Sequence, residues 1–194
     1  MLSIWTVAMQ VSRTPLDGLL QIDTVCWRDV RGAFVETYHR ERYREAGIGD
    51  TFVQDNFSWS HRNVLRGLHY QLNRPQGKLV MVVEGCVYDV VVDIRKGSPT
   101  FGQWYGTELS SENGRQLYVP PGFAHGFCVL SERAGFLYKC TDYYVPSDER
   151  GIRWSDPELA IAWSATDPLV SPKDQAYKTL AEMQHELPEW SGPR

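Results

Sequence analysis

The sequence contains no apolar run that approaches the roughly 20 residues of a membrane-spanning helix. Its N-terminal segment, MLSIWTVAMQ, is mildly apolar but lacks the basic stretch and the long apolar stretch of a secretory signal peptide. We therefore expect a protein that has no membrane partner, carries no export signal and works in the cytoplasm.

An excess of positive charge is also missing. The 194 residues include 24 acidic and 20 basic side chains, which gives a formal net charge of −4. Surfaces that bind nucleic acid usually depend on clustered Lys and Arg, so this balance argues against nucleic acid as a partner. It leaves room for a small basic pocket that binds a phosphate group.

Cysteine is sparse, and its spacing does not indicate a metal site. Cys26, Cys86, Cys128 and Cys140 form neither a CxxC pair nor a zinc-binding pattern. A disulfide framework would be unusual in a chain of this length and cysteine content. We predict reduced thiols that act as small core residues of a cytoplasmic protein.

Several catalytic and cofactor signatures are absent. The sequence has no GxSxG, P-loop or GxGxxG motif, so hydrolase, kinase and dinucleotide-binding functions lack support. It has no His-x-His, and its five histidines lie at least eight positions apart. This spacing argues against a dedicated metal site.

The sequence does contain a regular succession of short β-rich runs. Turn residues recur every ten or so positions from Thr51 to Trp163, which is typical of an all-β sandwich or barrel. The clearest runs, 79–83 and 86–94, are separated by a tight Glu-Gly turn. Alternation divides the second run into two faces, one with Val87, Asp89, Val91 and Asp93 and the other with Tyr88, Val90, Val92 and Ile94.

Further strands are predicted at 104–109, 116–119, 125–130 and 136–144, with a hairpin turn at 112–115. Helices are few: a short polar helix at 36–46, and a second helix that begins at Ser171 and continues to about His185. We find no repeat or linker, and predict a single domain over 1–194, in which 1–8 form an N-terminal extension.

Histidine and lysine side chains in this pattern could take part in proton transfer. His69 and His125 could accept and release a proton near neutral pH, although many histidines are only buried or hydrogen-bonded structural groups. Lys78 could stabilise a negatively charged oxygen, or simply begin a strand as a solvated residue. Residue type alone does not decide between these interpretations.

For Tyr138 and Asp174 as well, both a functional role and a purely structural role are possible. Tyr138 shares a strand face with Phe136 and Cys140, where it could donate a proton into a pocket or pack in the core. Asp174 follows Ser171 at the third helical position, where an acid stabilises the start of a helix. Helix capping does not exclude a further role for Asp174 in a site.

Five segments, taken in order, closely resemble the dTDP-4-dehydrorhamnose 3,5-epimerase family. They are RGLHYQ at 66–71, QGKLV at 76–80, VYDVVVDIRKGSPTFGQW at 87–104, QLYVPPGFAHGF at 116–127 and FLYKCTDYYVPSDERGIRW at 136–154. The similarity runs from near Met9 to the segment after Asp174 and covers most of the chain. Because the motifs are long and keep their order, the resemblance is specific.

This resemblance implies a fold and a reaction. The family is a double-stranded β-helix, that is, a cupin-like jelly roll, and its members are usually homodimers. They remove the protons at C3 and C5 of a dTDP-4-keto-6-deoxyhexose and return them on the opposite face. The glucose-configured substrate then gives dTDP-4-keto-L-rhamnose. Because the ketone stabilises the carbanion, the resemblance implies no metal and no other cofactor.

The family motifs also imply roles for individual residues. His69 corresponds to the base, Asp174 to its partner and Tyr138 to the acid. Lys78 and His125 correspond to residues near the 4-keto oxygen. The implied substrate-binding residues are Arg31, Phe34, Glu36, Gln54, Asn56, Ser58, Arg66, Tyr144 and Lys173. One spacing is difficult: Arg66 and His69 would face opposite ways in an ideal strand, so a bend near Gly67 or a role for Arg66 at a partner subunit is required.

Three alternatives remain open at this point. A mono-epimerase acting at C3 or C5 only, in an antibiotic deoxysugar pathway, would share nearly all of these residues. A cupin that binds sugar nucleotides without turnover would need none of the acid–base residues. A metal-dependent cupin oxygenase would need the His-x-His pattern that the sequence lacks.

Overall fold

The computed structural model describes residues 9–193, so the predicted extension at 1–8 lies outside the described residues. The described chain is mainly β-structure, with two short α-helices, α1 (Arg40–Glu45) and α2 (Pro172–Gln175). In chain order the strands are β1 (Gln10–Arg13), β2 (Leu20–Asp23), β3 (Cys26–Asp29), β4 (Gly32–Val35), β5 (Gln54–His61), β6 (Val64–Gln71), β7 (Lys78–Glu84), β8 (Cys86–Asp93), β9 (Trp104–Ser110), β10 (Arg115–Val119), β11 (Phe123–Val129), β12 (Arg133–Cys140), β13 (Glu149–Gly151) and β14 (Leu169–Val170).

These strands form two large sheets and one separate hairpin. The first sheet has the order β1-β2-β10-β7-β12-β5, and the second has the order β13-β6-β11-β8-β9, with β14 added in parallel to β6. The remaining strands, β3 and β4, pair only with each other within the described part of the chain. The predicted all-β, cupin-like jelly roll with a few short helices is therefore confirmed.

From β5 to β12 the chain repeatedly crosses from one sheet to the other. The predicted tight turn after β7 is present at Gly85, which has φ +77°, and it joins the first sheet to the second. The predicted hairpin at 112–115 is wrong. Strand β9 pairs with β8 in the second sheet, whereas β10 pairs with β2 and β7 in the first. The turn residues correctly indicated a reversal of the chain, but such residues do not specify which sheet the next strand enters.

Strand β8 is buried on both of its faces, and the predicted division of its side chains is confirmed. Val87 and Val91 belong to the core between the two sheets. Val90, Val92 and Ile94 belong to a second core, on the outer face of the second sheet. The C-terminal part of the chain covers this outer face with side chains that include Leu180, Met183 and Leu187.

The predicted helix at 36–46 is shorter than expected. Helix α1 begins after His39, whose side chain accepts a hydrogen bond from the Arg42 N–H, and ends before Gly47. The residues before His39 are held by the first sheet instead, because the Thr37 carbonyl accepts a hydrogen bond from Gln116 Nε2 at 2.9 Å.

The C-terminal helix begins where it was predicted to begin but is much shorter than predicted. Ser171 caps α2, which has only four residues, and the predicted continuation to His185 is wrong. Beyond the helix, Lys178 forms a parallel bridge to Ile152, and the Arg153 N–H donates to the Lys178 carbonyl at 2.8 Å. This docking against the segment after β13 replaces helical hydrogen bonds, and only a 3-10 turn at Gln184–Glu186 follows. Within 9–193, no helix has the length and apolarity to cross a membrane.

Strand β12 also ends earlier than predicted, at Cys140 instead of residue 144. The segment after it is drawn toward the loop before β7. Gln76 Nε2 donates to the Asp142 carbonyl at 2.7 Å, and Arg74 Nε donates to the Asp142 carboxylate at 3.0 Å. Tyr144 therefore lies in a loop beside the sheet.

Candidate active site

A cavity of about 370 Å³ lies between the two sheets. Its walls come from β5, β7 and β12 of the first sheet and from β6, β11 and β13 of the second. Nine of the predicted site residues line it: Gln54, Asn56, Ser58, Arg66, His69, Lys78, His125, Tyr138 and Tyr144. Asp174 and Lys173 lie just behind this lining, in contact with residues that form it.

A β-bulge brings both Arg66 and His69 to the cavity. Arg66 pairs with Phe127 and His69 with His125, so β6 uses three residue steps where β11 uses two. The extra residue reverses the alternation and turns both side chains to the same face. Gly67 lies in the bulge with φ +132°, and a Cβ there would lie 2.6 Å from the Gly126 Cα. The bend required by the sequence is therefore present.

Asp174 lies behind His69 and is almost fully buried. Its Oδ1 is 2.9 Å from His69 Nε2, and its Oδ2 accepts a hydrogen bond from the Gly67 N–H at 3.2 Å. Burial raises the pKa of the Asp174 carboxyl, but its hydrogen bonds and the charge of His69 outweigh burial and leave the pKa below its usual value. An ionised carboxylate can only accept a hydrogen bond, so Nε2–H is the donor, and in the neutral imidazole Nδ1 carries the lone pair.

Asp174 also keeps its role at the start of α2. Its N–H donates to Ser171 Oγ at 3.1 Å, which is the predicted capping contact. The backbone of Asp174 therefore serves the helix while its carboxylate holds the imidazole. The other ring nitrogen of His69, Nδ1, is 3.9 Å from Glu149 Oε1, and Glu149 lines the cavity. Nδ1 is thus the nitrogen that faces the cavity.

The first sheet supplies a phenol and a side-chain amine. Tyr138 on β12 and Lys78 on β7 both line the cavity, as does Cys140, which pairs with Lys78 across the two strands. A phenol is protonated at neutral pH, and burial raises the pKa of Tyr138 further above its usual value. Burial lowers the pKa of Lys78, and nearby acidic groups oppose that change.

His125 forms a second histidine–carboxylate pair. Its Nε2 lies 2.9 and 3.0 Å from the two oxygens of Asp89, and both residues are buried. Sequence reasoning placed Asp89 on a strand face with Val87 and Val91 but assigned it no role. An acid between two valines on a buried strand face was the signal for such a partner. Within residues 9–193, no three or more His, Cys, Asp or Glu side chains are grouped so as to hold a metal ion.

Strand β5 has polar residues facing inward and aromatic residues facing outward. Gln54, Asn56 and Ser58 line the cavity, whereas Phe57 and Trp59 are about half exposed on the other face. This reversal of the usual pattern shows that β5 borders a polar site. Gln54 Nε2 donates to Asn56 Oδ1 at 2.9 Å, and Gln54 Oε1 accepts from the Tyr144 N–H at 2.9 Å.

Glu149 connects the residues at one side of the cavity, and sequence reasoning missed it. Its carboxylate accepts a hydrogen bond from the Tyr144 hydroxyl at 2.6 Å and pairs with Lys173 Nζ at 2.9 Å. Burial raises the pKa of Glu149, but these two partners and the charge of His69 bring it below its usual value. The residue lies on β13, whose three residues are too few for an alternation pattern to indicate their orientation.

Three predicted residues do not reach the cavity of this chain. Arg31 and Phe34 lie on the separate β3–β4 hairpin, and both side chains are exposed to solvent. Arg31 pairs with Asp29 in the same hairpin, and Glu36 forms an ion pair with Arg42 of α1. None of the three lines the cavity.

The fold and site together define a class: a cupin-like jelly roll in which a histidine of one sheet, paired with a carboxylate behind it, and a partly buried tyrosine of the other sheet line one cavity. A sequence model described as dTDP-4-dehydrorhamnose 3,5-epimerase matches residues 13–182. The chain belongs to the dTDP-4-dehydrorhamnose 3,5-epimerase family, a family of sugar-nucleotide isomerases.

Individual relatives support this assignment. The dTDP-4-dehydrorhamnose 3,5-epimerase of Pseudomonas aeruginosa is 52% identical over 90% of this chain and 97% of its own length. The crystal structure of dTDP-6-deoxy-D-glucose-3,5-epimerase from Legionella pneumophila, in complex with dTDP-4-keto-L-rhamnose, superposes with a TM-score of 0.92 and 52% identity. The superposed region covers 95% of this chain and 100% of the Legionella chain. A dTDP-4-dehydrorhamnose 3-epimerase of Streptomyces niveus is 42% identical over 90% of this chain and 85% of its own length.

Proposed function

We propose that this protein epimerises C3 and C5 of dTDP-4-keto-6-deoxy-D-glucose and so forms dTDP-4-keto-L-rhamnose. The observation that carries the proposal is the placement of His69 and Tyr138 on opposite sheets, with both side chains lining one cavity. A base and an acid on opposite sides of a bound sugar invert a carbon centre when one removes a proton and the other returns one. The family assignment supplies the substrate class.

In the first step, His69 Nδ1 removes the proton from a carbon next to the 4-ketone. The C–H bond breaks, an N–H bond forms, and the electron pair moves toward the ketone oxygen to give an enolate. Asp174 stabilises the resulting imidazolium through its 2.9 Å contact with Nε2. Lys78 and His125 line the same cavity and stabilise the developing negative charge on oxygen.

In the second step, the Tyr138 hydroxyl returns a proton to the opposite face of the same carbon. The O–H bond breaks, a C–H bond forms, and the ketone is regenerated. The phenol is protonated at neutral pH before the step, and burial raises its pKa further. Exchange with solvent then restores both groups. The proton that arrives comes from the enzyme and water, so each inverted carbon acquires a solvent hydrogen.

The substrate's nucleotide part is assigned to the side of the cavity with polar and basic groups. Arg66, whose Nε donates to Ser60 Oγ at 3.0 Å, and Lys173 are cations suited to the diphosphate. Tyr144 offers an aromatic face, and its hydroxyl is held by Glu149. Gln54, Asn56 and Ser58 provide hydrogen-bonding groups on the wall formed by β5.

Solvent deuterium tests the number of carbons inverted. During incubation with dTDP-4-keto-6-deoxy-D-glucose in D2O, we expect deuterium at both C3 and C5 of the product, because each inversion delivers a solvent-derived hydrogen. NMR of the product reads both the label positions and the stereochemistry.

Label at only one carbon would instead establish the mono-epimerase alternative, for which the 42% identical 3-epimerase is the relevant relative. Binding without any label would indicate the non-catalytic sugar-nucleotide-binding cupin.

Two substitutions test the acid–base roles. We expect His69→Ala and Tyr138→Phe each to lower kcat by more than about tenfold, or ~1.4 kcal/mol, because each removes a proton-transfer group. The affinity for dTDP should stay close to that of the wild type. Steady-state kinetics and calorimetric titration measure the two quantities.

His61→Ala and Tyr143→Phe are matched controls, because both side chains are exposed and neither lines the cavity. They should keep the wild-type kcat. A loss within tenfold in His69→Ala or Tyr138→Phe removes that residue from its assigned role.

We further propose a homodimer in which the β3–β4 hairpin completes the site of the second copy. The hairpin forms no sheet with the rest of residues 9–193, and it exposes Trp27, Val30 and Phe34. A two-stranded hairpin is marginally stable alone, and exposed apolar groups of this kind favour a protein partner. Docking on a second copy would bring Arg31 and Phe34 to the nucleotide side of that copy's cavity.

Mixing two impaired variants tests this arrangement. In a mixed dimer of His69→Ala and Arg31→Ala, one cavity would have an intact His69 and an intact hairpin from its partner. We therefore expect activity to recover when the two variants are co-refolded. Turnover is measured at substrate concentrations below KM, and differently tagged chains establish that mixed dimers form.

Sedimentation should give twice the 22.2 kDa chain mass. A monomer, or mixed dimers without recovered turnover, would contradict the proposal.

We also propose that the whole chain is one cytoplasmic epimerase domain. The family match over residues 13–182 supports a single domain. The four cysteines are all free thiols, and free thiols are usual in the reducing cytoplasm.

A further inference from the structure

A second tyrosine, distinct from the acid, packs against the imidazole of His69. The rings of Tyr177 and His69 meet edge to face, with centroids 5.8 Å apart and an interplanar angle of 74°. Tyr177 is partly buried and does not line the cavity, so it contacts the imidazole from outside the space that a sugar would fill. It lies three residues after Asp174, on the same short segment.

Gly151 makes this contact possible. It lies directly opposite His69 in the pairing of β13 with β6. Side chains of directly opposed residues in an antiparallel pair are neighbours on one face of the sheet. Gly151 has no side chain, and the Tyr177 ring fills that place: a Cβ on Gly151 would lie 2.2 to 2.5 Å from three of its ring carbons. Tyr177 therefore replaces the cross-strand neighbour of His69.

The backbone around Tyr177 is anchored to the strand region that carries Gly151. The Tyr177 carbonyl accepts a hydrogen bond from Arg153 Nε at 3.1 Å. The next residue, Lys178, forms the bridge to Ile152. These contacts hold the ring in place independently of His69.

We propose that Tyr177 is a positioning residue, which fixes the plane of the His69 imidazole so that Nδ1 points into the cavity. The inference rests on the proposed role of His69 as the base. The Asp174 hydrogen bond holds the ring at one atom, Nε2, and leaves it free to tilt about that contact. The edge of Tyr177 supplies a second point of contact. Burial raises the pKa of Tyr177, so its ring is uncharged at neutral pH and acts by packing.

Two substitutions at Tyr177 separate packing from hydroxyl chemistry. Tyr177→Phe keeps the ring and should keep kcat within about twofold of the wild type. Tyr177→Ala removes the ring and should lower kcat about tenfold or more, with KM nearly unchanged, because a displaced base is costly even at small distances. Equal loss in both variants, or no loss in Tyr177→Ala, overturns the proposal.

Gly151→Ala should displace the Tyr177 ring, and with it the His69 imidazole, by a different route. Its new methyl group would overlap the Tyr177 ring, so kcat should fall as it does in Tyr177→Ala. In the Gly151→Ala/Tyr177→Ala double variant the overlap is gone, and kcat should equal that of Tyr177→Ala alone. Losses that multiply would show that the two positions act separately and would contradict the proposal.

A spectroscopic measurement on His69 tests the role of Tyr177 separately from the role of His69 as the base. In protein labelled with 15N-histidine, His69→Ala assigns the resonances. The His69 Nε2–H signal should have the same chemical shift in the wild type and in Tyr177→Phe. In Tyr177→Ala, this signal should shift, or its proton should exchange with water at least ten times faster. An unchanged signal overturns the positioning role even if His69 is the base. Full turnover by His69→Ala, with the spectral change in Tyr177→Ala intact, overturns only the proposed base.

Discussion

The contact between His69 Nε2 and Asp174 Oδ1 is the interaction on which the site depends, because it joins residues 105 positions apart in the chain. A buried carboxylate is costly unless it is paired, and Asp174 is 2% exposed. Its carboxylate is paired with the imidazole and the Gly67 N–H, while its backbone N–H donates a hydrogen bond to the capping residue Ser171. The same contact therefore orders the C-terminal segment, fixes the histidine tautomer and leaves Nδ1 free for the cavity.

Each sheet contributes different functional groups to the cavity, because alternate side chains along its strands face inward. His69, His125 and Asp89 lie on the second sheet, with Asp174 on α2 behind it, whereas Tyr138 and Lys78 lie on the first sheet. Removal from water acts on these two in opposite directions: it raises the pKa of Tyr138 and lowers that of Lys78, since burial disfavours the charged form of each. Partial removal from water would favour the proposed enolate, because charges interact more strongly where less water is present.

Local rules predicted much of this arrangement, and long-range pairing accounts for what they missed. Alternation correctly divided β8 into two faces and placed Tyr138 beside Phe136, and capping chemistry located the start of α2. The orientation of Arg66 depended on a bulge that only the pairing with β11 reveals. The path beyond α2 is set by docking onto Ile152, and the role of Glu149 by a three-residue strand. Neither feature produces a periodic pattern of residues in the sequence.

A crystal structure with a bound, non-reacting dTDP-sugar tests the central claim most directly. We expect the hexose to lie between the sheets, with His69 Nδ1 and the Tyr138 hydroxyl on opposite faces of its ring and the contact between His69 Nε2 and Asp174 preserved. A ring with both groups on one face, or a sugar bound while His69 points away from the cavity, would contradict it.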